Sequence, residues 1–138
     1  MKKGFTLIEV LVAVTIIAVL VSIGVVSYAS VNKRSRDAKR KGDVEQLRSA
    51  LEMYRADVGS YPDPSGSLSW TDAANLSTPL VTSSYLPAIP SDPKSTSKYR
   101  YKATSLYVYC IEANLETETT TTGTCTPETG YNYGAKSP

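Results

Sequence analysis

The sequence predicts an α+β fold: a long N-terminal helix, apolar then amphipathic, packed on a small C-terminal antiparallel β-sheet. Three observations predict it. Residues 10–28 form a run of 19 positions without a charge, rich in Val, Ile, Leu and Ala. Val44, Leu47, Leu51, Tyr54 and Val58 then recur at spacings of 3, 4, 3 and 4, which draws an apolar stripe on one helix face. Last, "KYRYKATSLYVYCIEANLE", residues 98–116, alternates its side chains and has the Tyr and Val content of strands. A chain of 138 residues leaves room for one compact domain beyond the apolar run.

As a helix, the 19 uncharged residues would cover about 29 Å, the thickness of a bilayer's hydrocarbon core. One reading is a secretory signal peptide, with Lys2 and Lys3 as its basic start and Ser27-Tyr28-Ala29 as a small-x-small cleavage site. The run is longer than such signals need, and Glu9 would be a costly charge within it. The other reading is a membrane span that stays attached. Charge counting leaves its orientation open, because Lys2 and Lys3 precede it and Lys33, Arg34, Arg36, Lys39, Arg40 and Lys41 follow it. Thr6-Leu7-Ile8-Glu9 fits a capping box, so Glu9 also has a purely local use at the helix start.

The stripe carries the helix onward, from about Thr6 to Ala56, until Gly59 and Pro62 stop it. About two heptad-like repeats are too few to support a coiled coil. Gly24 and Gly42 weaken the helix by about 1 kcal/mol each relative to Ala. Gly24 stands among Ser22 and Ser27, where local unwinding on packing, or close approach of a second helix, would suit a small residue. The six basic residues between positions 33 and 41 oppose only Asp37, whereas the chain after Lys41 has seven Lys/Arg against eleven Asp/Glu. This basic collar is expected either to meet anionic lipid head groups or to be a solvated helix face.

Residues 59–97 read as a long connection rich in Ser, Pro, Thr and Asp, with a short helix around residues 72–81 and Trp70 and Leu86 pinning it to the core. In the strand region, Tyr99, Tyr101 and Ala103 fall on one face, and Leu106, Val108 and Cys110 on one face of a second strand, with the turn near residues 103–105. Residues 117–126 are Thr-rich, and "YNYGAKSP" reads as a last short strand. A sheet of two to four strands is expected against Val44, Leu47, Leu51 and Tyr54. Cys110 and Cys125 admit a disulfide, buried free thiols or a metal pair; an even count beside an export segment favours the disulfide. Two thiols in a chain with no His are a poor metal set. No phosphate-binding glycine loop, nucleophile motif or catalytic cluster is present, so neither an enzyme nor a cofactor is expected.

"KKGFTLIEVLVAVTIIAVL", residues 2–20, resembles the class III signal of type IV pilins and type II secretion pseudopilins. "RDAKRKGDVEQLRSALEMYRADVGSYP", residues 36–62, and "YLPAIPSDP", residues 85–93, resemble the helix end, Tyr-Pro turn and a loop of the pseudopilin group. The resemblance implies a pilin-like fold divided into a leader (1–4), a transmembrane and assembly helix (5–31), the amphipathic half of that helix (32–58) and a globular loop-and-sheet region (59–138). It implies cleavage between Gly4 and Phe5 by a prepilin peptidase, N-methylation of Phe5, and polymerisation with other copies through the apolar helix. Glu9 would then meet the charged amine of a neighbour's Phe5, since each charge is costly in low dielectric unless paired. The implied partners are other copies of the chain, the peptidase, membrane lipid before assembly, and pilus or secretion machinery. The implied location is the cytoplasmic membrane, then a surface filament. DNA is a further partner that a competence pilin would take up, and tyrosine stacking with basic side chains would serve it, though the acidic balance of the outer region opposes it. Some major pseudopilins hold calcium in a C-terminal loop; "ETETTTTGTCTPETG" lacks their aspartate-rich pattern, and no metal is expected here.

Overall fold

The computed structural model describes residues 4–138, and in helix α1 the side chains of residues 25–27 lie outside that description. Lys2 and Lys3 of the expected leader therefore fall outside the described residues, as does the side chain of Ser27. The chain divides into two compact units, Met1–Ser35 and Arg36–Pro138.

Helix α1 runs over Leu7–Val58. In the first unit every described residue from 4 to 24 is exposed, including Leu7, Ile8, Leu11, Ile16, Ile17 and Leu20. Its hydroxyls turn inward to their own backbone: Thr15 Oγ1 donates to the Val12 carbonyl at 2.8 Å and Ser22 Oγ to the Val19 carbonyl at 2.8 Å. That arrangement leaves a surface with few polar groups to desolvate. Gly24 does not interrupt the helix in the single chain.

In the second unit α1 ends two residues later than expected, at Val58, where Gly59 takes φ +89° and returns its amide to the Arg55 carbonyl at 2.8 Å. This is a left-handed cap that a side chain would strain. The Tyr-Pro turn follows. Tyr61 donates its amide to the Leu106 carbonyl, and Tyr101 Oη donates to the Pro62 carbonyl at 2.7 Å. The connection then holds a strand β1 (Thr71–Asp72), a 3-10 turn (Ala73–Leu76) and a single wide turn (Ser77–Val81), which together fill the place of the expected short helix.

Strands β2 (Arg100–Ser105), β3 (Val108–Ala113), β4 (Thr122–Gly123) and β5 (Tyr133–Lys136) complete a sheet of order β1-β2-β3-β5-β4. It is larger than the two to four strands expected and not purely antiparallel, because β4 pairs with β5 in parallel. Both flanking strands, β1 and β4, are only two residues long.

The core lies between α1 and one sheet face. Val44, Leu47, Ala50 and Leu51 are fully buried with Tyr99, Tyr101, Ala103, Tyr109, Ile111 and Ala113. Leu76, Leu80 and Leu86 close it from the connection. Tyr54 is half-buried at its edge, set edge-on to Tyr85 with ring centres 5.6 Å apart, and Val58 at the end of the stripe is exposed. Leu86 is buried as expected. Trp70 is not in the core; it is half-buried beside Arg100 and Lys102, whose cations lie 5.5 and 5.9 Å from its ring.

The second strand faces the other way from the sequence reading. Leu106 and Val108 are exposed, and Tyr109, Ile111 and Ala113 turn to the helix. The cause is a register shift in the hairpin, where Ala103 pairs with Tyr109 but Ser105 pairs with Val108. One residue of slip reverses the face of everything after it. The turn therefore falls at Leu106 and Tyr107, not at residues 103–105.

Candidate functional site

Gly4, Phe5 and Thr6 precede the helix in non-helical, exposed backbone, with Phe5 88% accessible. The Gly4–Phe5 peptide bond is thus open to a second macromolecule. Thr6 and Glu9 form the capping box. Glu9 Oε2 accepts from the Thr6 amide at 2.9 Å and from its hydroxyl at 2.8 Å, and the Glu9 amide donates back to Thr6 Oγ1 at 3.3 Å. In the single chain, then, Glu9 is satisfied within its own first turn, and the apolar side chains after it have no partner among the described residues.

Sequence reasoning missed the polar centre of the second unit. Part of the basic collar is neither solvated nor available to lipid. Arg40 is fully buried; its Nε and Nη2 donate to Asp92 at 2.7 and 2.9 Å, and its Nη1 donates to Asp37 at 2.8 Å and Glu116 at 3.0 Å. Arg36 adds a two-pronged pair to Glu116, both contacts at 2.7 Å, and Lys94 Nζ donates to the same carboxylate at 2.7 Å. Asp37 also accepts from the amides of Glu116 and Thr117 and from the Thr117 hydroxyl. The lattice thus ties α1 to residues 92–94 and to the chain just after β3. Lys41 is exposed but pairs with Glu118 at 2.6 Å, which leaves Lys33, Arg34 and Lys39 as the exposed collar residues with no ion pair among the described residues. The missed signal was phase. Asp37 and Arg40 continue the stripe of Val44, Leu47 and Leu51 at the same spacings of 3 and 4.

Cys110 and Cys125 are joined in a disulfide with Cα atoms 6.2 Å apart. Cys110 lies on the sheet face away from α1 but is buried because residues 122–125 cover it. Thr124 donates its amide to the Gly134 carbonyl at 2.6 Å, and any side chain at Gly134 would run into the Cys125 backbone. Asn132 holds the same loop: its Oδ1 accepts from the Leu115 amide, and its Nδ2 donates to the carbonyls of Leu115 and Glu118.

The lattice sets the acid response of the domain. The Arg36 and Lys94 cations, with Arg40, hold Glu116 well below the carboxylate range against its partial burial. Burial pushes Asp37 and Asp92 up, but the Glu116 and Thr117 donors at Asp37 and the Arg40 guanidinium at Asp92 outweigh it, and both titrate low. Glu112 differs. Burial raises its pKa over the help of the Glu128 amide and Arg100, and its Oε1 has no hydrogen-bond partner among the described residues. Carboxylates lowered by folding contribute stability above about pH 4, and that contribution is lost as pH falls through their folded values. Glu112 has the opposite sign, costing stability at neutral pH and recovering it as pH falls through its raised value. The melting temperature should therefore rise slightly on mild acidification and drop steeply below about pH 4. Glu112→Gln should abolish the rise and keep the drop. A variant curve that still rises would mean that Glu112 is not its source.

A long helix with an exposed apolar first half, followed by a small sheet, is the plan of pilin-like subunits. Residues 1–25 match the prokaryotic N-terminal methylation motif. Residues 27–113 match the family model of type II secretion system protein G, and the chain belongs to that family. It is 31% identical over 96 residues to type II secretion system core protein G of Escherichia coli K12, covering 67% of this chain and 66% of that protein. The corresponding protein of Pseudomonas aeruginosa PAO1 is 30% identical over 106 residues, 74% of each chain. Pilin-like protein PilA3 of Thermus thermophilus is 36% identical over 59 residues, 42% of this chain and 25% of that protein. The chain spans about two thirds of the length of the first secretion relatives it matches. No solved structure matches it.

Proposed function

We propose that this chain is a structural subunit of a type IV pilus-like filament, with a type II secretion pseudopilus as the assembly its family favours. A prepilin peptidase cuts between Gly4 and Phe5, Phe5 is N-methylated, and the apolar half of α1 passes from the cytoplasmic membrane into a polymer of identical chains at or beyond the cell surface. The observation that carries this reading is the pairing of the methylation motif at residues 1–25 with a helix whose described apolar side chains from Leu7 to Ile23 are all exposed. Apolar residues exposed over such a length demand lipid or other helices. Cutting after Gly4 leaves them attached and removes, of the charged side chains, only Lys2 and Lys3.

The physical role of Glu9 in this scheme is to answer the Phe5 amine of the incoming subunit, which offsets two desolvation costs and fixes the axial step. The Thr6–Glu9 box supports it by holding the carboxylate at the helix start, next to the segment where that amine forms.

Mass spectrometry of the native protein tests the processing step. The expected N-terminus is methylated Phe5. A mature chain beginning at Ser30 would sink the reading, because the assembly helix would have been discarded.

A further inference from the structure

We infer that residues 114–132 are locked without a divalent cation, by ion pairs from the chain's own arginines and lysines and by the Cys110–Cys125 disulfide. The inference stands apart from assembly, since it concerns only the second unit. A calcium ion in the C-terminal loop is what the resemblance to major pseudopilins would lead one to look for. Calcium asks for six to eight oxygen ligands converging at about 2.3–2.6 Å, several of them carboxylates without another partner. The donors of this loop do not fit that demand.

Each carboxylate in or against the loop already faces a positive charge of the chain. Glu116 is held by Arg36, Arg40 and Lys94. Glu118 is held by Lys41 and accepts from the Thr122 hydroxyl. Glu128 is held by Arg100 at 2.6 Å. The Asp37 oxygens are filled by two amides, a hydroxyl and Arg40. Two backbone oxygens of the loop, the carbonyls of Leu115 and Glu118, accept from Asn132. Glu112 Oε1 is the buried carboxylate oxygen without a hydrogen bond, yet Arg100 Nη1 lies 3.4 Å from it, so a fixed cation stands where a metal would have to sit. Among the described residues no three acidic, Cys or His side chains form a cluster suited to a metal.

What remains to order the loop is internal. The disulfide closes 15 residues of sequence separation and clamps residues 122–125 onto β5. Arg36, Arg40 and Lys94 occupy the place of a cation beside Glu116 and anchor the other end. Nothing in this scheme needs an ion from solution, but it does need the cysteines oxidised.

The test uses the full chain in detergent, oxidised and reduced, with excess calcium chloride or with chelator. Melting temperature is read together with hydrogen exchange at the amides of Leu115, Glu116 and Thr117. A one-site ion at a hundredfold excess over its Kd would raise the melting temperature by about 10 °C in a domain of this size. The expected result is no shift and unchanged exchange between calcium and chelator in the oxidised chain. Reduction, or Cys110→Ser with Cys125→Ser, is expected to lower the melting temperature by about 10 °C and speed exchange in the loop. Calcium that raises the melting temperature or slows exchange in either redox form overturns the inference. So does a reduced chain whose loop exchanges as slowly as the oxidised one. The wild-type calcium comparison remains decisive even if the double variant fails to fold.

Discussion

Arg40→Ala should be the most damaging single substitution in the sheet-bearing unit, with an expected loss of about 3–5 kcal/mol. The guanidinium is fully buried and joins carboxylates from three stretches of chain: Asp37 on α1, Asp92 before β2 and Glu116 after β3. Removing it leaves Asp92, whose side chain is 1% exposed, without its cation, and an unpaired charge at that depth is far costlier than a lost surface pair. Arg40→Met, which keeps the volume, should lose nearly as much, because charge and not packing is the missing component. The pH response separates the two causes. In the wild type these carboxylates are lowered and stability falls with acid; in either variant Asp92 loses the guanidinium that lowers it, while Asp37 keeps its Glu116 and Thr117 donors, so mild acid should narrow the gap to wild type through Asp92. Urea unfolding at neutral and mildly acidic pH measures this. A loss below about 1 kcal/mol at neutral pH would place Arg40 among ordinary surface pairs and refute the buried-lattice account.

Glu9→Gln should abolish filaments while leaving the subunit folded and in the membrane. The amide keeps an oxygen that can accept from the Thr6 amide and hydroxyl, so the helix start should survive. The lost charge matters only if an ammonium must enter the apolar interior beside it, where an unpaired ion costs several kcal/mol. The expected readout is at least a tenfold fall in filaments recovered after shearing, equivalent to about 1.4 kcal/mol per addition step, at unchanged subunit level and helicity. Thr6→Ala is the counterpart: it weakens the box without touching the charge and should leave assembly nearly intact. Normal filaments from Glu9→Gln would reduce Glu9 to a capping residue.

The parts of this fold legible in the sequence were those set by local periodicity. The stripe Val44, Leu47, Leu51 needs only the helical repeat to be found, and Gly59 announces the end of α1 by chemistry that few other residues tolerate. The disulfide was legible because an even pair of cysteines beside an export segment has few other uses. The lattice was not, although Asp37 and Arg40 sit in phase with the stripe. Charged side chains normally mark the wet face, and their partners Asp92 and Glu116 lie 52 and 76 residues from Arg40. Likewise the phase of β3 was misjudged because a one-residue slip at the hairpin cannot be seen in the alternation of either strand alone. Strand β4 exists only because β5 and the disulfide bring residues 122–123 alongside it, and nothing within those two residues foretells it.

The brevity of β1 and β4 has a bearing on crowding. A long unpaired margin would tempt adjacent molecules to zip together strand by strand, as fibrils do. Here β1 and β4 cover only two residues each of β2 and β5, so the main chain left without a strand partner on those sides is confined to residues 102–105 and 135–136. Copies brought to high local density would have only those two short stretches through which to pair strand to strand.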